Sequence, residues 1–146
     1  MLRFIVISII LIASCFFACV QKQKINRLPN QTSRPISDIK KNVFLFGDST
    51  SYSELFISYL HEPPEDFLFW ALLMANKYDY ASANLDVFFS LKNAFEKEAG
   101  NYSLKNMDPE TRRIAIRYLK KAVHKSVPDA FRIWKEVQKA NTVMDL

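Results

Sequence analysis

The stretch Asp108-Pro109-Glu110-Thr111-Arg112-Arg113-Ile114-Ala115-Ile116-Arg117-Tyr118-Leu119-Lys120-Lys121-Ala122-Val123-His124 decides the fold class. Asp108 offers a side-chain acceptor to the unpaired N–H groups of a first helical turn. Pro109 carries a fixed φ suited to that turn, and Glu110 places an acid at the positive end of the helix dipole. Behind this opening, Ile114, Ala115, Tyr118, Leu119, Ala122 and Val123 recur at the spacing of one helical face. Ser126-Val127-Pro128-Asp129 repeats the device as a Ser-x-x-Asp capping box, and Ala130, Phe131, Trp134 and Val137 line a further helix.

Upstream the same period recurs. A helix from about residue 80 to 97 presents Ala81, Leu85, Phe88, Leu91 and Phe95, and Gly100-Asn101 breaks it. Before it, a helix from about 64 to 78 opens on Pro64 with Glu65 and Asp66 in its first turn. It carries Phe67, Trp70, Ala71 and Met74 on one face and Leu68, Leu72 and Ala75 on another, which marks it as the centre of the core with Trp70 inside. A segment from about 49 to 60 sets Tyr52, Leu55, Phe56 and Tyr59 on one face, and Pro63-Pro64 ends it. Val43 to Phe46 is the one run compatible with a strand. The expected class is all-α with about five helices.

The composition agrees with a packed domain. In 146 residues, 49% are hydrophobic and 24% charged, the balance of a chain able to bury a core. Only Gly47 and Gly100 are glycines, so Gly-rich phosphate loops and dinucleotide fingerprints have no raw material. Both cysteines, Cys15 and Cys19, precede the domain, which excludes a disulfide framework and thiolate zinc sites within it. The only histidines, His61 and His124, lie in different segments, so neither a metal site nor a bound cofactor is expected.

The amino terminus reads as an export signal: Arg3 precedes an uncharged stretch from Phe4 to Val20. At that length it also lies at the lower edge of the roughly 17–25 residues that span a bilayer, so a transmembrane anchor is the rival reading. Ile12-Ala13-Ser14-Cys15 resembles the lipobox of bacterial lipoproteins, an aliphatic and two small residues ahead of a cysteine. That resemblance implies cleavage before Cys15 and a diacylglycerol on its thiol, with Cys19 as the alternative site. It also implies a lipid-anchored position in the bacterial envelope, facing the periplasm or exterior. Residues 1–19 are then signal and anchor. Residues 20–41, polar and carrying Pro29 and Pro35, are a flexible tether, and residues 42–146 are the domain.

Asn42-Val43-Phe44-Leu45-Phe46-Gly47-Asp48-Ser49 resembles the opening block of the Gly-Asp-Ser esterases, in which a hydrophobic strand delivers a nucleophilic serine. That resemblance implies a small serine hydrolase using Ser49, with a base supplied by an Asp-x-x-His block. Neither histidine fits: the residue three before His61 is Ser58, and three before His124 is Lys121. The preferred reading makes Asp48 or Ser49 a helix cap in a protein that is not an enzyme.

Ala115-x-x-Tyr118-Leu119-x-Lys121-Ala122-Val123-x-Lys125-Ser126-x-x-Asp129-Ala130 resembles the hairpin turn of Sel-one-like repeats, a tetratricopeptide-type family. Ala71-x-x-Met74-Ala75-x-Lys77-Tyr78-x-x-Ala81 echoes its first half. Asn76, Asp79 and Ser126 stand where these turns usually carry glycine, and no period of about 36 residues repeats. The resemblance implies a short right-handed stack of antiparallel helix hairpins that binds another protein, as an adaptor or immunity-type partner, with no small-molecule substrate. A purely structural envelope role is the remaining alternative.

Charge is segregated. Residues 20–46 carry six bases against one acid, residues 47–108 four against ten, and residues 109–146 nine against four. Arg113, Arg117, Lys120 and His124 fall at i, i+4, i+7 and i+11, one stripe opposite the apolar face. The stripe reads either as a solvated face paired loosely with the acidic helices or as a docking surface for an acidic partner protein or anionic lipid head groups, and Arg113, Arg117, Lys120 and His124 are the partner-binding candidates. Nucleic acid is excluded as a partner, because the chain is read as exported and the midchain acids repel it.

Overall fold

The computed structural model describes Thr32, residues 34–96 and residues 101–141. Among these residues every regular element is a helix: α1 Ile36–Phe46, α2 Ser49–Ser58, α3 Pro64–Asn76, α4 Ala81–Phe95, α5 Pro109–His124 and α6 Ala130–Ala140. The all-α expectation holds. The helices pack chiefly against their chain neighbours, most extensively α3 on α4 and α4 on α5. No helix among the described residues is long and apolar enough to cross a membrane. Cys15 and Cys19, the lipobox and Gly100 lie outside the described residues.

Helix α1 accounts for six helices rather than about five. It corrects two expectations, a tether extending to residue 41 and a strand at Val43 to Phe46. Ile39 and Val43, one helical turn apart, are completely buried in the cluster that contains Tyr52, Leu55, Phe67 and Ala71. Their period straddles residue 41, so neither side of that boundary shows it whole. Arg34 is already docked, its guanidinium donating to Glu54 at 3.2 Å and to the Ser51 hydroxyl at 2.9 Å. Helix also suits the short apolar run, because only Val43 must face inward; Phe44, Leu45 and Phe46 stay exposed. Gly47 ends the helix at φ +62, its N–H returning to the Val43 carbonyl at 3.0 Å.

The next caps follow the sequence. The Asp48 carboxylate accepts the Ser51 N–H at 3.0 Å and opens α2. Pro64, Glu65 and Asp66 open α3, and Asp108 opens α5. The turns after α3 and α5 place Asp79 (φ 52) and Ser126 (φ 54) in the left-handed region, the conformation glycine tolerates best. The Ser126-x-x-Asp129 capping box does not form. Ser126 instead closes the preceding helix, with its N–H on Val123 and that of Val127 on Ala122, both at 3.0 Å. Asp129 makes no side-chain cap and accepts from Arg132 Nε at 3.0 Å.

Three clusters form the core. One joins α1, α2, α3 and the first half of α4, with Tyr118 from α5; a second joins Phe88, Leu104, Met107, Ala115, Ile116, Leu119, Ile133 and Val137; a small third joins Ala122, Val127 and Ala130 at the turn between α5 and α6. Buried Asn141 fastens the segment before α5, accepting from Leu104 N–H at 2.8 Å and donating to the Tyr102 carbonyl at 2.9 Å. Trp70 is displaced from the central place expected of it. Phe67, Ala71, Met74 and Ala75 are the buried residues of α3, while Trp70 lies half-covered, edge-on to Phe69 and 5.9 Å from the Lys40 ammonium. Phe131 is likewise exposed, and its place on the inner face of α6 is taken by Ile133.

Candidate functional site

Helix α5 fixes the basic stripe by burying its opposite side. Asp108 accepts the N–H groups of Glu110 at 3.1 Å and Thr111 at 3.0 Å, and its bonds with Thr111 hold the carboxyl below the usual range. From that start, Ala115, Ile116, Tyr118, Leu119 and Ala122 face inward. Arg113, Arg117, Lys120 and His124 are all exposed and line one groove along the helix, as their spacing predicts.

The four are not equivalent. Arg113 is paired within its own helix, donating to both carboxylate oxygens of Glu110. Lys120 Nζ lies 5.0 Å from the centre of the Trp134 ring, a cation–π contact that leaves the ammonium open to solvent. Arg117 and His124 have no side-chain partner among the described residues. Two neighbouring bases are engaged elsewhere. Arg112 turns inward onto the carbonyls of Leu104 (3.2 Å) and Met107 (2.9 Å), and Lys125 binds the Asp79 carboxylate. That ion pair ties the turn after α5 to the turn after α3, a link that local spacing does not reveal.

Ser49 is exposed at the first position of α2, preceded by a helix and a left-handed glycine instead of a strand. Its neighbour Asp48 is occupied by capping. His61 is exposed in the turn that follows α2. Among the described residues no three or more His, Cys, Asp or Glu side chains come together as a metal-binding group.

Sequence spacing missed a second group. The Tyr52 hydroxyl donates to Asp86 Oδ2 at 2.7 Å, joining α2 to the middle of α4. Burial raises the Asp86 carboxyl above its ordinary value, against the opposing effect of the Tyr52 bond. Burial and the adjacent carboxylate raise the Tyr52 phenol as well, so the hydroxyl stays the donor. The available signal was the charged Asp86 set between Leu85 and the apolar Val87-Phe88-Phe89.

This pair has a pH signature. Because the folded pKa is raised, the folded state holds the Asp86 proton more tightly than the unfolded chain does. The associated stability is fully present below the unfolded pKa and is lost as pH rises through the folded one. Asp86→Asn removes the titration and keeps an acceptor for Tyr52. Denaturant midpoints between pH 4 and 7 should therefore show the variant gaining on the wild type as pH rises. Parallel profiles would show that Asp86 titrates as in the unfolded chain.

Comparison with protein-family models, with curated proteins and with solved structures finds no match to this chain.

Proposed function

We propose that this chain is a membrane-anchored adaptor of the bacterial envelope whose helical domain engages an acidic partner protein through the exposed face of α5. The observation that carries the reading is that stripe: two arginines, a lysine and a histidine on one helical face, only Arg113 of them held by a carboxylate among the described residues. Pairwise helix packing and the Asp79–Lys125 link between turns support a stack of hairpins, the architecture implied by the resemblance to Sel-one-like repeats. Anchoring through the Cys15 thiol, or through that of Cys19, completes the proposal.

The test reverses Arg113, Arg117 and Lys120 together to Glu in the full chain. The helical circular-dichroism signal should persist, since exposed charges shift stability by no more than about 0.5 kcal/mol each. Each rim ion pair contributes about 0.2–1 kcal/mol, and reversal adds repulsion, so recovery of the partner should fall about tenfold or more. Wild-type recovery should also fall as salt rises, because charges at a rim are screened over about 8–10 Å. Recovery that is unchanged by reversal and by salt refutes the docking surface.

A further inference from the structure

We propose that the aromatic cleft around Asp86 binds a small organic ammonium group. Asp86 stands where two clefts meet. One, of about 230 Å³, is walled by Phe56, Tyr59, Phe67 and Phe89; the other, of about 260 Å³, by Tyr52, Phe56 and Tyr80. The rings form one continuous wall: Tyr52, Phe56 and Tyr59 each lie 5.3 to 5.7 Å from the Phe67 centroid, and Tyr80 lies 5.6 Å from Tyr52. Into this wall α4 delivers a single carboxylate.

The chemistry of the cleft is one-sided. Asp86 spends one oxygen on the Tyr52 hydroxyl, and its other oxygen has no hydrogen-bond partner among the described residues. No lysine or arginine among them lies within ion-pair distance of it. The further acid on the wall is Glu62, and Ser90 and Asn93 supply neutral polar groups. An anion is repelled here. A purely apolar ligand covers the rings but strips water from the carboxylate without replacing it, an unfavourable exchange. An ammonium group pairs with Asp86 and sits among aromatic rings, which attract cations through their π systems, so both features of the site favour the same ligand. The smaller cleft has room for about seven water-sized groups, enough for a short alkylammonium or the end of a lysine side chain.

The probes are n-butylammonium, its neutral counterpart n-butanol, and N-acetyl-lysine N-methylamide, titrated into the full chain while the tyrosine ring resonances are followed. Saturable shifts with n-butylammonium at a Kd of about 1 mM, and none with n-butanol, are expected. Asp86→Asn keeps the bond to Tyr52 and should weaken n-butylammonium at least tenfold. Phe89→Leu stays apolar, removes a ring and should weaken it about threefold. Tighter binding of the lysine derivative than of n-butylammonium assigns the ammonium to a peptide, and the reverse order assigns it to a free amine. Equal binding of n-butanol, undiminished binding by Asp86→Asn, or no saturable shift up to 50-fold above the expected Kd overturns the proposal. The comparison with n-butanol needs no variant and stands even if Asp86→Asn fails to fold.

Discussion

Phe88→Ala should lower the unfolding free energy by about 3–5 kcal/mol, a large share of the roughly 5–15 kcal/mol margin of a domain this size. Phe88 is completely buried and packs in the cluster that joins α4 to α5, to α6 and to the segment carrying Leu104 and Met107. Truncation loses the transfer free energy of the ring and leaves a cavity, because the cluster is held from three sides and collapses only in part. The adjacent Phe89 gives the control. It is half-buried at the rim of the Asp86 cleft, so Phe89→Ala should cost clearly less. Denaturant melts decide the matter: midpoints for Phe88→Ala and Phe89→Ala that coincide would place the second cluster elsewhere.

Gly47→Ala should destabilise the domain by about 2–5 kcal/mol, although it adds one methyl group at the surface end of a helix. Two costs add. The left-handed backbone at φ +62 costs an L-residue about 1–2 kcal/mol. A Cβ there would also lie 2.3 Å from Tyr78 Cγ, and an overpacked contact of this kind costs about 1–3 kcal/mol. Tyr78 does not yield freely, since its hydroxyl donates to the Phe44 carbonyl at 2.6 Å and the clash falls near the root of its side chain. The double variant with Tyr78→Ala should recover the steric part and leave the backbone part. Strict additivity of the two single changes would show that the ring and the glycine are not in contact.

The candidate docking stripe was legible because it is local. Four residues at i, i+4, i+7 and i+11 share a helical face whatever the rest of the chain does, once Asp108 and Pro109 start the helix. The fate of each charge was not legible. Whether Arg113 is paired with Glu110 depends on rotamers. Arg112 turns onto the Leu104 and Met107 carbonyls because of the path taken by the preceding segment. The Asp86 cleft could not be assembled from spacing at all: Tyr52 and Asp86 are 34 positions apart and meet only because α2 and α4 both pack on α3.

What the amino-acid sequence determined by itself is the part governed by interactions within about one helical turn: the all-α class, the caps at Asp48 and Asp108, the proline start of α3, and Ala115, Tyr118, Leu119 and Ala122 on the inner face of α5, which Ile116 joins while Ile114 and Val123 stay half-buried. The tertiary structure alone decided three further matters. It made α1 a helix, since Ile39 and Val43 earn burial only against Tyr52 and Leu55. It placed Phe67 inside and Trp70 at the border, because α3 offers two apolar faces and its neighbours seal one of them more fully than the other. It turned Ser126 from the opening of one helix into the close of another. A serine satisfies either end, and the backbone bonds that close α5 through Val123 and Ala122 took precedence over a side-chain cap on α6.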